Sequence, residues 1–119
     1  MALKRNITEE KAIKFALEAI ELYKRLIKNN EFVLSKQFLR SATSIGANIM
    51  EAQHAQSDRD FLNKMSIALK EARETEYWLE LLERSGYLVE ENKILISSCK
   101  ELNRILITIV KKINVKCNM

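Results

Sequence analysis

The chain has 119 residues, 47% of them hydrophobic and 30% charged, which is the balance of a single globular domain. It contains no proline and two glycines, a composition that favours long uninterrupted helices and excludes a glycine-rich phosphate loop. No apolar run is long enough to span a membrane, no secretory leader is recognisable, and Cys99 and Cys117 are too few for a disulfide framework. These observations predict a cytoplasmic protein with reduced thiols.

The first two helices are predicted from the spacing of their apolar residues. The first begins at Thr8, whose hydroxyl can cap a helix, and ends in the Lys28-Asn29-Asn30 stretch. The second begins between Phe32 and Ser35 and fades near Gln56. Its apolar stripe follows steps of four and three residues: Phe38, Ala42, Ile45, Ile49 and Ala52.

Gly46 lies in the middle of the second predicted helix, where glycine costs about 1 kcal/mol relative to alanine. A helix that carries this cost usually needs another backbone to come close at that point. Ala68 and Ala72 are small residues on the stripe of the third predicted helix. We therefore expect helices two and three to pack unusually close, with Gly46 at their contact.

The third and fourth helices complete the predicted fold. Ser57 opens the third helix in a sequence that resembles a capping box, and Gly86 is placed to end it. The fourth runs from about Glu90 to Ile113, with Val89 where a polar cap is expected. Four such helices with short joins predict an all-α fold, an antiparallel up-down-up-down four-helix bundle that residues 1–119 form as one domain.

Two helices have more apolar surface than one bundle needs. The fourth helix is apolar over more than half of its circumference, and Ile67, Trp78 and Leu81 form a second strip on the third helix. Exposed apolar surface on this scale usually marks a partner interface. This predicts a homo-oligomer, and the alternative is a monomer with a few ordinary exposed apolar side chains.

A polar strip lies beside the apolar stripe of the second helix. We expect Asn48 and Glu51 to join Arg40, Glu71 or Glu74 in a hydrogen-bonded network at a contact between helices or subunits. The alternative is that these residues face water. The residues predicted at helix or subunit contacts are Gly46, Asn48, Glu51, Ile67, Glu71 and Trp78.

Catalytic chemistry is poorly represented in the chain. Glu51 and His54 match one Glu-x-x-His element of a carboxylate-bridged metal bundle, but such sites need two elements and His54 is the only histidine. The carboxylates of the third helix are spread around it and do not form a catalytic pair. We therefore predict no catalytic residue, no metal site, no cofactor and no enzyme activity.

The basic residues are concentrated near the C-terminus. Residues 1–92 carry 14 basic and 15 acidic side chains, whereas residues 93–119 carry 6 basic and 1 acidic. A narrow stripe of the fourth helix, extended by Lys112, predicts contacts with nucleic-acid phosphates. Its residues are Lys93, Lys100, Arg104, Lys111 and Lys112. The alternative is the solvated face of an amphipathic helix, and few aromatic residues interleave the stripe, so base stacking is not indicated.

Two segments carry a family resemblance. Residues 44–52 (SIGANIMEA) and 64–79 (KMSIALKEARETEYWL) resemble the bacterial four-helix-bundle family named for proteins encoded within 23S rRNA intervening sequences. The accessory variability proteins of diversity-generating retroelements look like relatives of it. The resemblance implies a ring-like homopentamer and a nucleic-acid-associated role, in the retroelement relatives with a reverse transcriptase as partner. It brings no catalytic motif.

The function predicted from these observations is a non-enzymatic, homo-oligomeric accessory protein that binds the backbone of RNA or DNA. The alternative is a protein-interaction scaffold that binds no nucleic acid. Charge distribution distinguishes them, because the first needs a continuous positive surface. The second predicts that the basic residues are scattered or neutralised by Glu80, Glu83, Glu90 and Glu91.

Overall fold

The computed structural model describes residues 5–118, which form four packed α-helices and no strand. The helices are α1 (Ile7–Lys28), α2 (Leu34–Ala52), α3 (Asp58–Arg84) and α4 (Ile94–Cys117). Each helix packs on the next in the chain, and α4 returns to pack on α1. This closed arrangement with short joins is the antiparallel up-down-up-down bundle predicted from the sequence.

Contacts between helix ends confirm the antiparallel order. Lys116 at the end of α4 pairs with Asp58 at the start of α3, with 3.1 Å between the ammonium nitrogen and the carboxylate oxygen. In the second turn of α1, Lys11 pairs with Glu101 of α4 at 3.1 Å. Among residues 5–118, no helix combines the length and the apolar character that crossing a membrane requires.

The core contains the predicted apolar stripe of α2 and most residues of the predicted stripes of α3 and α4. The α1 prediction was only partly right, because Phe15 and Leu22 are buried but Leu17, which was also expected on the apolar side, is 60% exposed. The largest fully buried side chains of the core are Phe15, Leu22, Leu26, Phe38, Ile45, Ile49, Met65, Leu79, Leu82, Leu95, Leu102 and Leu106. One buried polar contact joins α2 to α3, where the hydroxyls of Ser41 and Thr75 are 2.8 Å apart. Both hydroxyls are satisfied, since each also contacts a backbone carbonyl of its own helix.

The start of α1 differs from the prediction. Asn6, not Thr8, caps the helix: its side-chain oxygen accepts from the backbone N–H of Glu9 at 2.8 Å. The Glu9 carboxylate in turn accepts from the backbone N–H of Asn6 at 3.1 Å. Asn6 and Glu9 thus form a capping box that satisfies two helix-terminal donors.

The predicted limits of α3 are confirmed. The Ser57 hydroxyl accepts from the backbone N–H of Asp60 at 3.0 Å, although the Asp60 carboxylate accepts from Gln56 rather than from Ser57. Gly86 has a φ of +85°, the left-handed conformation that glycine adopts most easily after a helix C-cap.

The ends of α2 and α4 were only partly predicted. The helix α2 ends at Ala52, before Gln56. A 3-10 turn, Glu90–Lys93, occupies the predicted start of the fourth helix, so α4 begins at Ile94 and continues past Ile113 to Cys117. Val89 provides no side-chain cap, and its backbone N–H donates to the side chain of Asn92 at 3.2 Å.

Glu31 caps the start of α2, a role that was not predicted from the sequence. Its carboxylate accepts from the backbone N–H groups of Val33, Leu34 and Ser35 at 3.2, 3.0 and 2.5 Å. Burial of Glu31 raises the pKa of this carboxyl, but the hydrogen bonds from Ser35, Leu34 and Val33 outweigh burial, and the pKa lies below its usual value. The carboxylate therefore stays charged at the helix N-terminus.

Gly46 packs against α1, which corrects the expected contact with α3. A Cβ atom built on Gly46 would lie 3.5 Å from the Cβ of Ala12 and 3.8 Å from its carbonyl oxygen. Gly46 lies on the side of the α2 stripe away from Ser41, whose hydroxyl contacts Thr75 of α3. The helices α2 and α3 nevertheless pack on each other more extensively than any other helix pair of residues 5–118. Ala68 and Ala72 of α3 are fully buried.

Candidate nucleic-acid interface

The basic stripe lies on the outer face of the bundle. Lys93 belongs to the 3-10 turn, and Lys100, Arg104 and Lys111 follow on α4 at helical spacing, opposite the buried stripe. Lys112 lies toward α1, on the flank that carries Glu101. All five side chains are exposed.

The first half of the stripe is close to carboxylates. Lys93 pairs with Glu90 at 3.2 Å. Lys100 lines a surface groove between α3 and α4 whose other charged residues are Glu76, Glu80, Glu83 and Arg84. The positive charge of this half is therefore largely balanced by its neighbours.

The second half of the stripe is different. Arg104, Lys111 and Lys112 take part in none of the ion pairs found among residues 5–118. The chain contains no acidic residue after Glu101. The later turns of α4 are thus a locally positive surface, and Lys116 is the one cation there that is paired, with Asp58.

A second basic row runs along the outer face of α3. Arg59, Lys70, Arg73 and Tyr77 fall within one narrow sector of the helix, and all four side chains are exposed. The sequence prediction missed this row, because glutamates are interspersed among its cations, although a helical wheel of residues 58–84 shows their common sector. Ala72 of α3 accepts a hydrogen bond at 3.2 Å from Asn103 of α4.

The hydrogen bond between Asn103 and Ala72 shows where the α3 row and the α4 stripe lie side by side. Arg73 and Arg104 directly follow these two residues, so they lie at the same level of the α3–α4 pair. The two rows therefore flank one outer surface of the bundle.

A polar cluster links α2 to α3 beside this surface. The Arg40 guanidinium pairs with Glu71 at 3.2 Å and also with Glu74, and the Trp78 indole N–H donates to Glu74 at 3.0 Å. The hydrogen bond from Trp78 lowers the pKa of Glu74, the charge of Arg40 lowers it further, and burial opposes both effects. This cluster contains the predicted Arg40, Glu71 and Glu74.

Asn48 and Glu51 lie outside this cluster, contrary to the expectation that they join it. The Asn48 amide donates to the backbone carbonyl of Ser44 at 2.8 Å, within its own helix. Glu51 is exposed, and its ion pair is a long contact of 4.0 Å with Lys64.

The predicted apolar strip of α3 is partly uncovered in the single chain. Ile67 is 37% exposed, and Trp78 and Leu81 are half-buried. On α4, Ile94 is exposed and Ile96, Ile105 and Ile107 are half-buried. The surface therefore retains apolar groups that a partner could cover.

The described residues provide little catalytic chemistry. Burial and the nearby charge of Glu76 raise the pKa of the Cys99 thiol to about 12, so this thiol stays protonated. His54 is exposed at the end of α2. No group of three or more His, Cys, Asp or Glu side chains in residues 5–118 is arranged to hold a metal ion.

Comparison with known proteins identifies the family. A family model described as 23S rRNA-intervening sequence protein matches residues 4–108. The fold is similar to a crystal structure of a Bacteroides thetaiotaomicron protein of unknown function from the S23 ribosomal protein family. That similarity has a TM-score of 0.85 and 52% sequence identity, and it covers 88% of this chain and 99% of the other. No curated protein matches the sequence. With most of its length matched, the chain belongs to the 23S rRNA-intervening sequence protein family.

Proposed function

We propose that this protein is a non-enzymatic, homo-oligomeric accessory protein that binds the phosphate backbone of RNA or DNA. The observation that carries the proposal is the positive surface formed by Arg104, Lys111 and Lys112, three exposed cations outside the ion pairs of the described residues. Lys93 and Lys100 contribute less, because carboxylates lie beside them.

Assembly would make such a surface effective. Each phosphate neutralised by a lysine or arginine releases a counterion, so the affinity depends on how many cations face the backbone together. Three cations per chain form a modest patch, and a closed ring of identical chains multiplies it. We propose a homopentamer, which the family resemblance implies and for which the apolar groups on α3 and α4 provide contact surface. We also propose a cytoplasmic location, where the two free cysteines would stay reduced.

A titration with matched charge variants tests the proposal. The protein is titrated into a labelled RNA hairpin and a labelled DNA duplex at two salt concentrations. The triple variant Arg104→Gln/Lys111→Gln/Lys112→Gln should bind more weakly, and the salt slope on duplex should fall by about 0.9 for each phosphate that the variant no longer neutralises. The control Lys24→Gln/Lys28→Gln/Lys36→Gln removes the same charge from exposed positions on α1 and α2 and should bind as the wild type does.

A second candidate function is a protein-interaction scaffold without nucleic-acid binding, for which a reverse transcriptase or another protein would be the partner. The observation that favours it is the neutralisation of Lys93 by Glu90 and the position of Lys100 among Glu76, Glu80 and Glu83. Absence of binding at low salt, with the oligomer intact by light scattering, would reject the first function and favour the scaffold.

A further inference from the structure

We propose that the outer surface of α3 and α4 binds an unpaired stretch of nucleic acid, with Tyr77 as a platform on which a base stacks. Arg59, Lys70 and Arg73 contact the phosphates on the α3 side. This inference rests on the proposed function and adds to it the class of ligand, a single strand rather than a duplex.

The cations of α3 form a row that extends along most of the helix. Arg59 and Tyr77 are 18 residues apart on one helix, which at 1.5 Å per residue corresponds to about 27 Å. Lys70 and Arg73 lie between them in the same sector, two turns and one turn before Tyr77. Arg59 and Arg73 take part in none of the ion pairs found in the described part of the chain. A nucleic-acid strand that follows this row therefore contacts positive charge on the N-terminal side of Tyr77.

The ring of Tyr77 is exposed and contacts the ring of its neighbour Trp78. Its residue is 54% exposed, and its ring centroid is 5.2 Å from that of Trp78, with 56° between the planes. Trp78 is held in turn by its hydrogen bond to Glu74, which Arg40 binds. An aromatic ring fixed in this way loses little conformational freedom when a base stacks on it.

The combination of an exposed aromatic ring with flanking cations favours single strands. A base in a duplex is already stacked on both faces, whereas an unpaired base has a free face for Tyr77. The cations contribute the sequence-independent part of the affinity through the backbone. Arg104 and Lys111 of α4 flank the same surface and would hold the strand from the other side.

The acidic residues of α3 limit this surface at one end. Glu80 and Glu83 follow Tyr77 and line the groove with Lys100, and Arg84 pairs with Glu80 at 3.1 Å. Phosphates are repelled from this part of the α3–α4 pair. The strand is therefore placed between Arg59 and Tyr77, along the half of the bundle that contains the last turns of α4.

The test compares single strands with a duplex of the same length. Labelled oligouridylate, oligothymidylate and duplex DNA are titrated with the full chain and followed by fluorescence anisotropy. Tyr77→Ala should weaken binding of both single strands by about 5- to 150-fold, the range typical of removing one stacking platform, and leave the duplex affinity unchanged. Arg73→Gln should weaken all three and lower the salt slope.

Two variants separate stacking from a structural effect. Tyr77→Phe keeps the ring and should bind as the wild type does. Phe32→Ala removes an aromatic residue of similar exposure, 53%, from the join between α1 and α2, and it should also bind normally. If Tyr77→Ala binds single strands normally, or weakens duplex binding equally, the inference is wrong although the proposed function stands. If the wild type binds none of the three probes, both are wrong.

Discussion

At the scale of single residues, the start of α2 depends on Glu31. This residue precedes the helix by three positions, and its carboxylate accepts from three backbone N–H groups that no helical carbonyl can satisfy. Sequence reasoning placed the helix start within two residues but not its cap. Glutamate is not among the preferred capping residues, and its reach back to the first turn depends on the conformation of the join.

We predict that Glu31→Gln lowers the free energy of unfolding at neutral pH by about 1–2 kcal/mol, because a neutral amide accepts these bonds less strongly and loses the favourable interaction with the helix dipole. Urea denaturation measures the difference. Glu21→Gln, at an exposed position of α1, should have little effect.

The contribution of Glu31 should also depend on pH. The folded pKa of Glu31 is lower than its unfolded value, so its stabilisation is complete above the unfolded pKa of about 4.3 and is lost as pH falls through the folded pKa. The difference in unfolding free energy between wild type and Glu31→Gln should therefore shrink in acid. A difference that stays constant from neutral to acidic pH would contradict the role of the charged carboxylate.

At the scale of helices, the apolar spacing predicted the core stripes of α2, α3 and α4, and the structure buries most of their residues. It could not predict which neighbour a residue at the edge of a stripe meets, because that depends on whether the helices turn left or right around the bundle. Gly46 is such an edge residue, and it meets α1 instead of α3. The basic stripe of α4 was likewise visible in the sequence, but its partial neutralisation comes from the edge of α3.

The sequence context of Gly46 suggests that a neighbouring backbone leaves no room for a side chain there, but the structure predicts that alanine is tolerated. An added Cβ would lie at ordinary van der Waals distance from Ala12. Gly46→Ala should therefore raise the free energy of unfolding by about 0.5–1 kcal/mol through helix propensity, as thermal or urea denaturation can measure.

Gly86→Ala provides the contrast to this variant. Nothing lies within 4 Å of a Cβ at Gly86, but its φ of +85° disfavours any side chain, so this variant should be destabilised by about 1 kcal/mol. If Gly46→Ala is instead destabilised and forms smaller oligomers, Gly46 lies at a subunit contact.

At the scale of the whole molecule, apolar groups and positive charge are exposed on different faces of the bundle. Apolar groups remain on α3 beside the Arg40 cluster, and positive charge lies on the outer face of α3 and α4. The α4 half of this charged surface was predictable from the positions of the basic residues in the sequence and their helical spacing. The α3 half is hard to recognise in the sequence, because Arg59, Lys70 and Arg73 are interspersed with glutamates that lie on other faces once the helix forms.

The proposed assembly gives a prediction at this scale. Ile67→Ser should reduce the size of the oligomer in light scattering without loss of helicity, because it places a hydroxyl in the apolar strip that we propose as a contact. Leu17→Ser is the matched control, since Leu17 is 60% exposed on α1, outside that strip, and its replacement should leave the oligomer intact. Equal effects of the two substitutions would argue against the strip as the contact.

The burial of Cys99 also makes the protein easy to label. Its thiol lies in the core and stays protonated, whereas Cys117 is only partly covered, in the last turn of α4. A maleimide reagent should therefore modify the native chain at Cys117 alone, directly after Lys116 at the end of α4. A dye at this position would report on ligands at that end of the bundle without any engineered cysteine.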